Sequence, residues 1–219
     1  MLEYIIQGGY MMFFLMGCSI AALAVIIDRA AAFIRHRRVD TRSLRSKVLA
    51  CLKRDAVEEA ALLCADTPGP VAAVLLAGLQ SYARHKAFST RSESITTIMK
   101  EAMEDYSQHA MNSVEKRFNI LSTVANAAPL FGMAGTVLGM ISAFDVMASA
   151  GGIDAGLVAG GISEALITTA AGLLIALFAV IPFNMFTNVA DAINLEINES
   201  ISEMLDFVAT QMEHRPGQA

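Results

Sequence analysis

Residues 160–173 read GGISEALITTAAGL, and they decide how the whole chain is interpreted. They lie in an apolar run, residues 157–186, that contains no lysine or arginine and only Glu164 as a formal charge. A carboxylate at membrane depth is costly unless it lines water, is protonated or has partners. Glu164, followed by the hydroxyls of Thr168 and Thr169, therefore indicates either an ion path or a polar contact between packed helices. Since Glu164 lies near one end of the run, snorkelling towards water is a further alternative.

The composition is that of an integral membrane protein. Hydrophobic residues make up 55% of the 219 residues and charged residues 17%, with 15 glycines, 13 methionines and no tryptophan. Small residues allow helices to pack closely in lipid. Three cysteines (Cys18, Cys51 and Cys64) have no metal-binding spacing, so we expect them to be reduced and structural. No metal and no cofactor is expected.

Three apolar runs are long enough to cross a membrane. They comprise residues 8–27, 118–144 and 157–186, and a helix of about 20 residues spans the hydrocarbon core. The first run has no basic segment before it, so we interpret it as an uncleaved span.

The distribution of cations predicts the orientation. Nine of the 16 lysines and arginines lie between Arg29 and Arg54, Arg35, Arg37 and Arg38 among them, and six more precede the second span. None lies between the second and third spans. By the positive-inside rule the basic segment is cytoplasmic, and the N-terminus and the short hairpin between the second and third spans lie outside. A nucleic-acid or anionic-lipid patch is the alternative, but the position beside a span favours the topological interpretation.

The sequence predicts an all-α integral membrane protein with three transmembrane helices, two of them extended into a helical cytoplasmic domain. A capping box at residues 55–58 starts one cytoplasmic helix, and a second at residues 90–93 starts a helix that is continuous from Arg91 to Asp145. The third span continues to about Met212, with an apolar stripe from Ile193 to Val208. The predicted division is residues 1–29 (periplasmic N-terminus and transmembrane helix 1), 30–117 (cytoplasmic helical domain), 118–147 (transmembrane helix 2), 148–156 (periplasmic hairpin), 157–187 (transmembrane helix 3) and 188–219 (cytoplasmic C-terminal helix and tail).

Small residues in the second and third spans predict close helix packing. Gly135 and Gly139 have the spacing that lets another helix approach, and Pro129 removes one backbone donor from the second span. Polar groups recur at helical spacing on one face of that span, which indicates either a polar path or hydrogen bonds between helices. The candidate packing residues are Gly132, Gly135, Gly139, Pro129 and Gly172.

Two motifs carry a resemblance to a known family. Residues 128–139 (APLFGMAGTVLG), and residues 161–173 (GISEALITTAAGL) followed by Ile181-Pro182-Phe183-Asn184, resemble the ExbB/TolQ/MotA proton-channel family, and the chain is most similar to its ExbB branch. Met133-Ala134 departs from the commoner family pair, which we interpret as a packing variation. The resemblance covers essentially the whole chain.

The resemblance implies a homopentamer whose second and third spans surround a lumen. The lumen would hold an ExbD/TolR-type single-span protein that supplies a proton-carrying aspartate, and a TonB-like protein would receive the output. Thr136 and Thr169 match the lumen threonines and Glu164 the membrane glutamate, while the role of Thr168, the fourth candidate of the ion pathway, is left open.

The resemblance therefore implies an inner-membrane proton-channel and stator subunit surrounded by lipid. A TolQ-type subunit of the Tol-Pal envelope system and a non-conducting scaffold for single-span partners are the alternatives. No phosphate-binding loop, nucleophile elbow or metalloprotease motif is present, so we expect neither an enzyme nor a nucleic-acid-binding protein. The residues leave H⁺ and Na⁺ open as the transported ion.

Overall fold

The described part of the chain is built from helices. The computed structural model describes residues 9–36, 40–86, 92–149 and 155–213, and no β-strand occurs in these ranges. The prediction of an all-α fold is therefore confirmed. The helices are α1 (Gly9–His36), α2 (Thr41–Lys53), α3 (Val57–Asp66), α4 (Pro70–Lys86), α5 (Ser92–Val114), α6 (Phe118–Ser149) and α7 (Ala155–Glu213).

Three of these helices are long and apolar enough to cross a membrane, which confirms the predicted number of spans. They are α1, α6 and the part of α7 that begins at Val158. Helix α6 continues through Pro129 and α7 through Pro182.

The chain divides into two compact units. The first, here called the membrane unit, comprises the chain up to Ala30 and Arg117–Phe186. Its core is formed by the facing sides of α1, α6 and α7. At one end, the ring of Phe118 stacks on Phe186 with a centroid distance of 6.2 Å and meets Phe183 edge-on at 6.4 Å. The buried core residues are Met12, Leu15, Ala22, Val25, Leu121, Val124, Ala128 and Ala179.

The second unit comprises Ala31–Lys116 and the chain from Thr187 onward. Helices α2 to α5 and the C-terminal part of α7 bury a common apolar core there. The predicted stripe of α7 is confirmed, because five of its residues are among the most buried of this unit: Ile193, Ile197, Ile201, Met204 and Val208.

The expected continuous helix from Arg91 to Asp145 is wrong. Helix α5 ends at Val114 and α6 begins at Phe118, with Arg117 between them in the left-handed region at a φ of 73°. No glycine or proline marks this break. The guanidinium of Arg117 reaches Asp28 of α1 at 2.9 Å, so a tertiary ion pair accompanies the interruption.

The capping box expected at residues 55–58 is also wrong. Helix α3 begins after Ala56, and no side chain caps its first turn. Asp55 instead adopts a φ of 60°, and the N–H groups of Asp55 and Ala56 donate to the carbonyls of Leu52 and Cys51. This arrangement is a Schellman motif, so Asp55 and Ala56 form the end of α2, and the next helix begins at Val57, within the expected box.

Some predictions lie outside the described residues. Arg37 and Arg38 of the basic segment lie there, as do residues 150–154 of the predicted hairpin and the first two residues of the capping box at residues 90–93.

Candidate functional site

Glycines set the distance between α6 and α7. A Cβ on Gly172 would lie 2.6 Å from the carbonyl oxygen of Ala128, and a Cβ on Gly132 would lie 3.1 Å from the Cα of Thr169. Carbon and oxygen atoms in van der Waals contact need about 3.3–3.6 Å. The backbones are therefore close because these positions have no side chain.

Gly135 and Gly139 of α6 face the same contact between α6 and α7, here called the α6–α7 seam. A Cβ on Gly135 would lie 2.5 Å from the methyl carbon of Thr168, and a Cβ on Gly139 would lie 3.0 Å from the Cβ of Ala165. The helix that approaches this pair is thus α7 of the same chain.

The three candidate threonines all donate to backbone carbonyls. The Thr169 hydroxyl donates across the seam to the carbonyl of Gly132 at 2.8 Å, and the Thr136 hydroxyl donates to Met133 on its own helix at 2.6 Å. The Thr168 hydroxyl donates to the Glu164 carbonyl at 3.0 Å, and this side chain is 1% exposed. A hydroxyl that donates still has oxygen lone pairs with which to accept.

These placements separate Thr168 from the other two threonines. Thr136 and Thr169 are half-buried, whereas Thr168 is enclosed between the helices. The geometry favours packing for Thr168, and its part in an ion pathway stays a prediction.

Glu164 is half-buried in the membrane unit, and its carboxylate lies against Gly9, the first residue of α1. In the described ranges no lysine or arginine forms an ion pair with it. The sequence analysis did not predict the contact with Gly9. The only feature that pointed to this position was the glycine pair Gly8-Gly9 at the start of the first span.

The face of α6 that carries Asn126, Met133, Thr136 and Met140 is partly exposed among the residues that the structure describes. Asn126 is exposed, and its side-chain amide donates to the carbonyl of Ser122 on the same helix at 2.8 Å. Met133 and Met140 on this face are 53% and 44% exposed, and Thr136 lies between them. Asn126 is therefore the more exposed of the two polar residues on this face, and Thr136 is half-buried.

Sequence reasoning also missed an ion-pair cluster at the Arg117 end of the membrane unit. The Asp28 carboxylate accepts from Arg29 at 2.7 Å and from Arg117 at 2.9 Å. Asp28 and Arg29 are adjacent at the end of the first span and are visible in the sequence. Arg117, the third member of the cluster, is distant in sequence.

The chemistry available at the site is proton and cation handling. A carboxylate can take up and release a proton, and hydroxyl and amide oxygens can accept hydrogen bonds. In the described residues no group of three or more histidine, cysteine, aspartate or glutamate side chains is arranged to hold a metal ion.

Comparison with known proteins identifies the family. Residues 67–199, which include all of α6 and the apolar part of α7, match the model of the MotA/TolQ/ExbB proton channel family. An ExbB-like biopolymer transport protein of Synechocystis sp. is 27% identical over the whole chain, which covers 82% of that protein. The biopolymer transport protein ExbB of Xanthomonas campestris is 32% identical over 55% of the chain, and the Tol-Pal system protein TolQ of Haemophilus influenzae is 32% identical over 63%.

The matches to the last two proteins are partial in both directions, since they cover 46% of the Xanthomonas protein and 61% of the Haemophilus protein. The family match nevertheless covers more than half of this chain and contains both motifs. Together with the three apolar helices, it shows that the chain is a multi-pass inner-membrane protein and belongs to the MotA/TolQ/ExbB proton channel family.

Proposed function

We propose that this chain is the ring-forming subunit of a proton-driven motor in the bacterial inner membrane. The observation that carries the proposal is Glu164, a half-buried carboxylate in a membrane helix with no ion-paired cation in the described part of the chain. Such a group is stable in the membrane when it is protonated or borders water. Both conditions suit a residue that passes protons.

The proposed partner is an ExbD/TolR-type protein with one span and a membrane aspartate. Five copies of this chain would place the exposed face of α6 around it. The Thr136 and Thr169 hydroxyls donate to backbone carbonyls, and their oxygen lone pairs can still accept a hydrogen bond from the protonated aspartate. Neutralising the aspartate lowers the cost of its contact with the apolar wall, so the partner helix can step around the ring.

The proposed orientation follows from the charges. The basic segment that contains Arg35 would be cytoplasmic and the N-terminal end of α1 periplasmic. Glu164 lies against that end of α1, so protons would meet it on entry from the periplasm. A TonB-like protein would receive the mechanical output and energise transport across the outer membrane.

A second candidate is a TolQ-type subunit, which the likeness to the Haemophilus protein favours. The membrane mechanism would be the same and the driven process would be envelope constriction. Co-purification with a TonB-like rather than a Tol-type partner separates the two candidates.

The test is proton flux into vesicles that contain this chain co-expressed with its single-span partner. We expect Thr169→Val and Glu164→Gln to abolish flux driven by an imposed gradient while the complex keeps its native mass. Thr169→Ser, which keeps the hydroxyl, is the matched control and should conduct.

Two results contradict the proposal. Normal flux in both variants would exclude these residues from the pathway. A wild-type complex that binds the partner but conducts nothing would establish the scaffold function instead.

A further inference from the structure

The carboxylate of Glu164 occupies the space that a side chain at Gly9 would fill. A Cβ on Gly9 would overlap with Oε1 of Glu164 and would lie 3.3 Å from its Cδ and 4.0 Å from its Cγ. These three nearest neighbours all belong to one ionisable side chain. The glycines of the α6–α7 seam differ, because they meet backbone atoms or packed apolar groups.

The backbone at Gly9 also requires glycine. Its φ is 64°, in the left-handed region that side chains disfavour. Gly9 belongs to the first turn that the structure describes in α1, so the Glu164 carboxylate lies beside that turn.

We propose that Gly9 is a positioning residue for Glu164. By having no side chain, it leaves the space beside α1 that the carboxylate occupies, and it thereby determines where Glu164 exchanges its proton. The inference rests on the proposed function of Glu164. Gly9 lies outside residues 67–199, which match the family model, so the family likeness does not assign this role.

Another glycine of the same helix provides a matched control. A Cβ on Gly17 would have no atom within 4 Å. Gly17→Ala therefore adds the same methyl group to the same helix without reaching Glu164. The comparison separates an effect on the carboxylate from a general effect of alanine in α1.

The experiment is a double-mutant cycle in the complex co-expressed with the single-span partner. The variants are Gly9→Ala, Glu164→Asp and both together, beside Gly17→Ala. Proton flux is the first readout. The second is the rate at which dicyclohexylcarbodiimide, a carboxyl reagent soluble in lipid, modifies residue 164, followed by mass spectrometry.

We expect Gly9→Ala to lower flux by about tenfold or more. The added methyl group would displace the Glu164 carboxylate, and a displacement of about 1 Å can lower the rate of a reaction between positioned groups by about 100-fold. Aspartate is shorter and withdraws from α1, so the same substitution in the Glu164→Asp background should lower flux less than about twofold. Backbone strain at Gly9 is common to both backgrounds and cancels in the cycle. Gly9→Ala should also change the modification rate, and Gly17→Ala should not.

Equal losses in the two backgrounds, or equal modification rates in Gly9→Ala and Gly17→Ala, would overturn the inference. If Gly9→Ala prevents assembly, recovery of the complex in the double variant supports it and continued failure overturns it. Absence of flux in the wild type would instead refute the proposed function, and the modification rates would still test the contact.

Discussion

Thr169 and Glu164 lie five residues apart on α7, yet their polar groups are accommodated differently. The Thr169 hydroxyl donates to a carbonyl of α6, a bond between membrane helices that contributes about 0.5–2 kcal/mol. The Glu164 carboxylate has the first turn of α1 beside it. Removal of the hydroxyl therefore affects packing as well as the proposed pathway, whereas Glu164→Gln changes mainly the charge. This difference is the reason for measuring native mass beside flux.

Cys64 shows the effect of burial in the second unit. Its side chain is 2% exposed, and burial, with a smaller contribution from nearby Cys51, raises the pKa of the thiol to about 11. Only the thiolate reacts with iodoacetamide. At pH 8 we expect alkylation of Cys64 to be at least about 100-fold slower than that of a thiol with the ordinary pKa, as measured by mass spectrometry.

The exposed variant Gln108→Cys on α5 is the control in the same chain. The unfolded thiol loses its proton above its ordinary pKa of 9.0, whereas the folded thiol keeps it until about 11. The contribution of this thiol to the free energy of unfolding is therefore fully present below pH 9.0 and is lost as the pH rises from 9.0 to about 11. Equal alkylation rates at the two sites below pH 9 would contradict the assignment.

At the scale of elements, the seam between α6 and α7 depends on its glycines. Gly172→Ala would place a Cβ 2.6 Å from the Ala128 carbonyl oxygen, which is backbone and cannot rotate away. We expect a loss of about 1–3 kcal/mol in stability, measured as a lower thermal-unfolding midpoint in detergent.

Gly160→Ala is the matched control on the same helix, because its Cβ would have no atom within 4 Å. It should leave the midpoint unchanged or raise it, since alanine favours helix. If both variants lower the midpoint equally, helix propensity rather than the seam determines the stability.

The break between α5 and α6 is also a property of elements in contact. Residues 115–117 are compatible with helix, and a single-sequence pattern predicts continuation. The left-handed Arg117 coincides with its ion pair to Asp28, which lies in another helix. Long-range contacts of this kind are not visible in local sequence.

At the scale of the whole molecule, the proposal requires a shared lumen. The detergent-extracted complex with its co-expressed partner should have the native mass of five 23.4 kDa chains with fewer partner copies than ring subunits. Such a ring would bring five exposed faces of α6 together. A monomer, a dimer or an equimolar complex would remove the lumen, and the scaffold function would then be preferred.

The sequence by itself determined the fold class, the three spans, the buried stripe of α7 and the family. These features follow from hydrophobic length, helical periodicity and two contiguous motifs, which are local in the chain. It also identified Glu164 as unusual, because a charge in an apolar run is evident from the residues alone.

Only the tertiary structure decided which groups these residues contact. It places Thr168 inside the seam and Gly9 against Glu164. It also shows that the Thr169 hydroxyl donates a hydrogen bond to the Gly132 carbonyl. Gly9 and Glu164 are separated by most of the chain. Their proximity arises from the packing of α1 in the membrane unit, because helical periodicity fixes which residues share a face but not which face of another helix lies opposite.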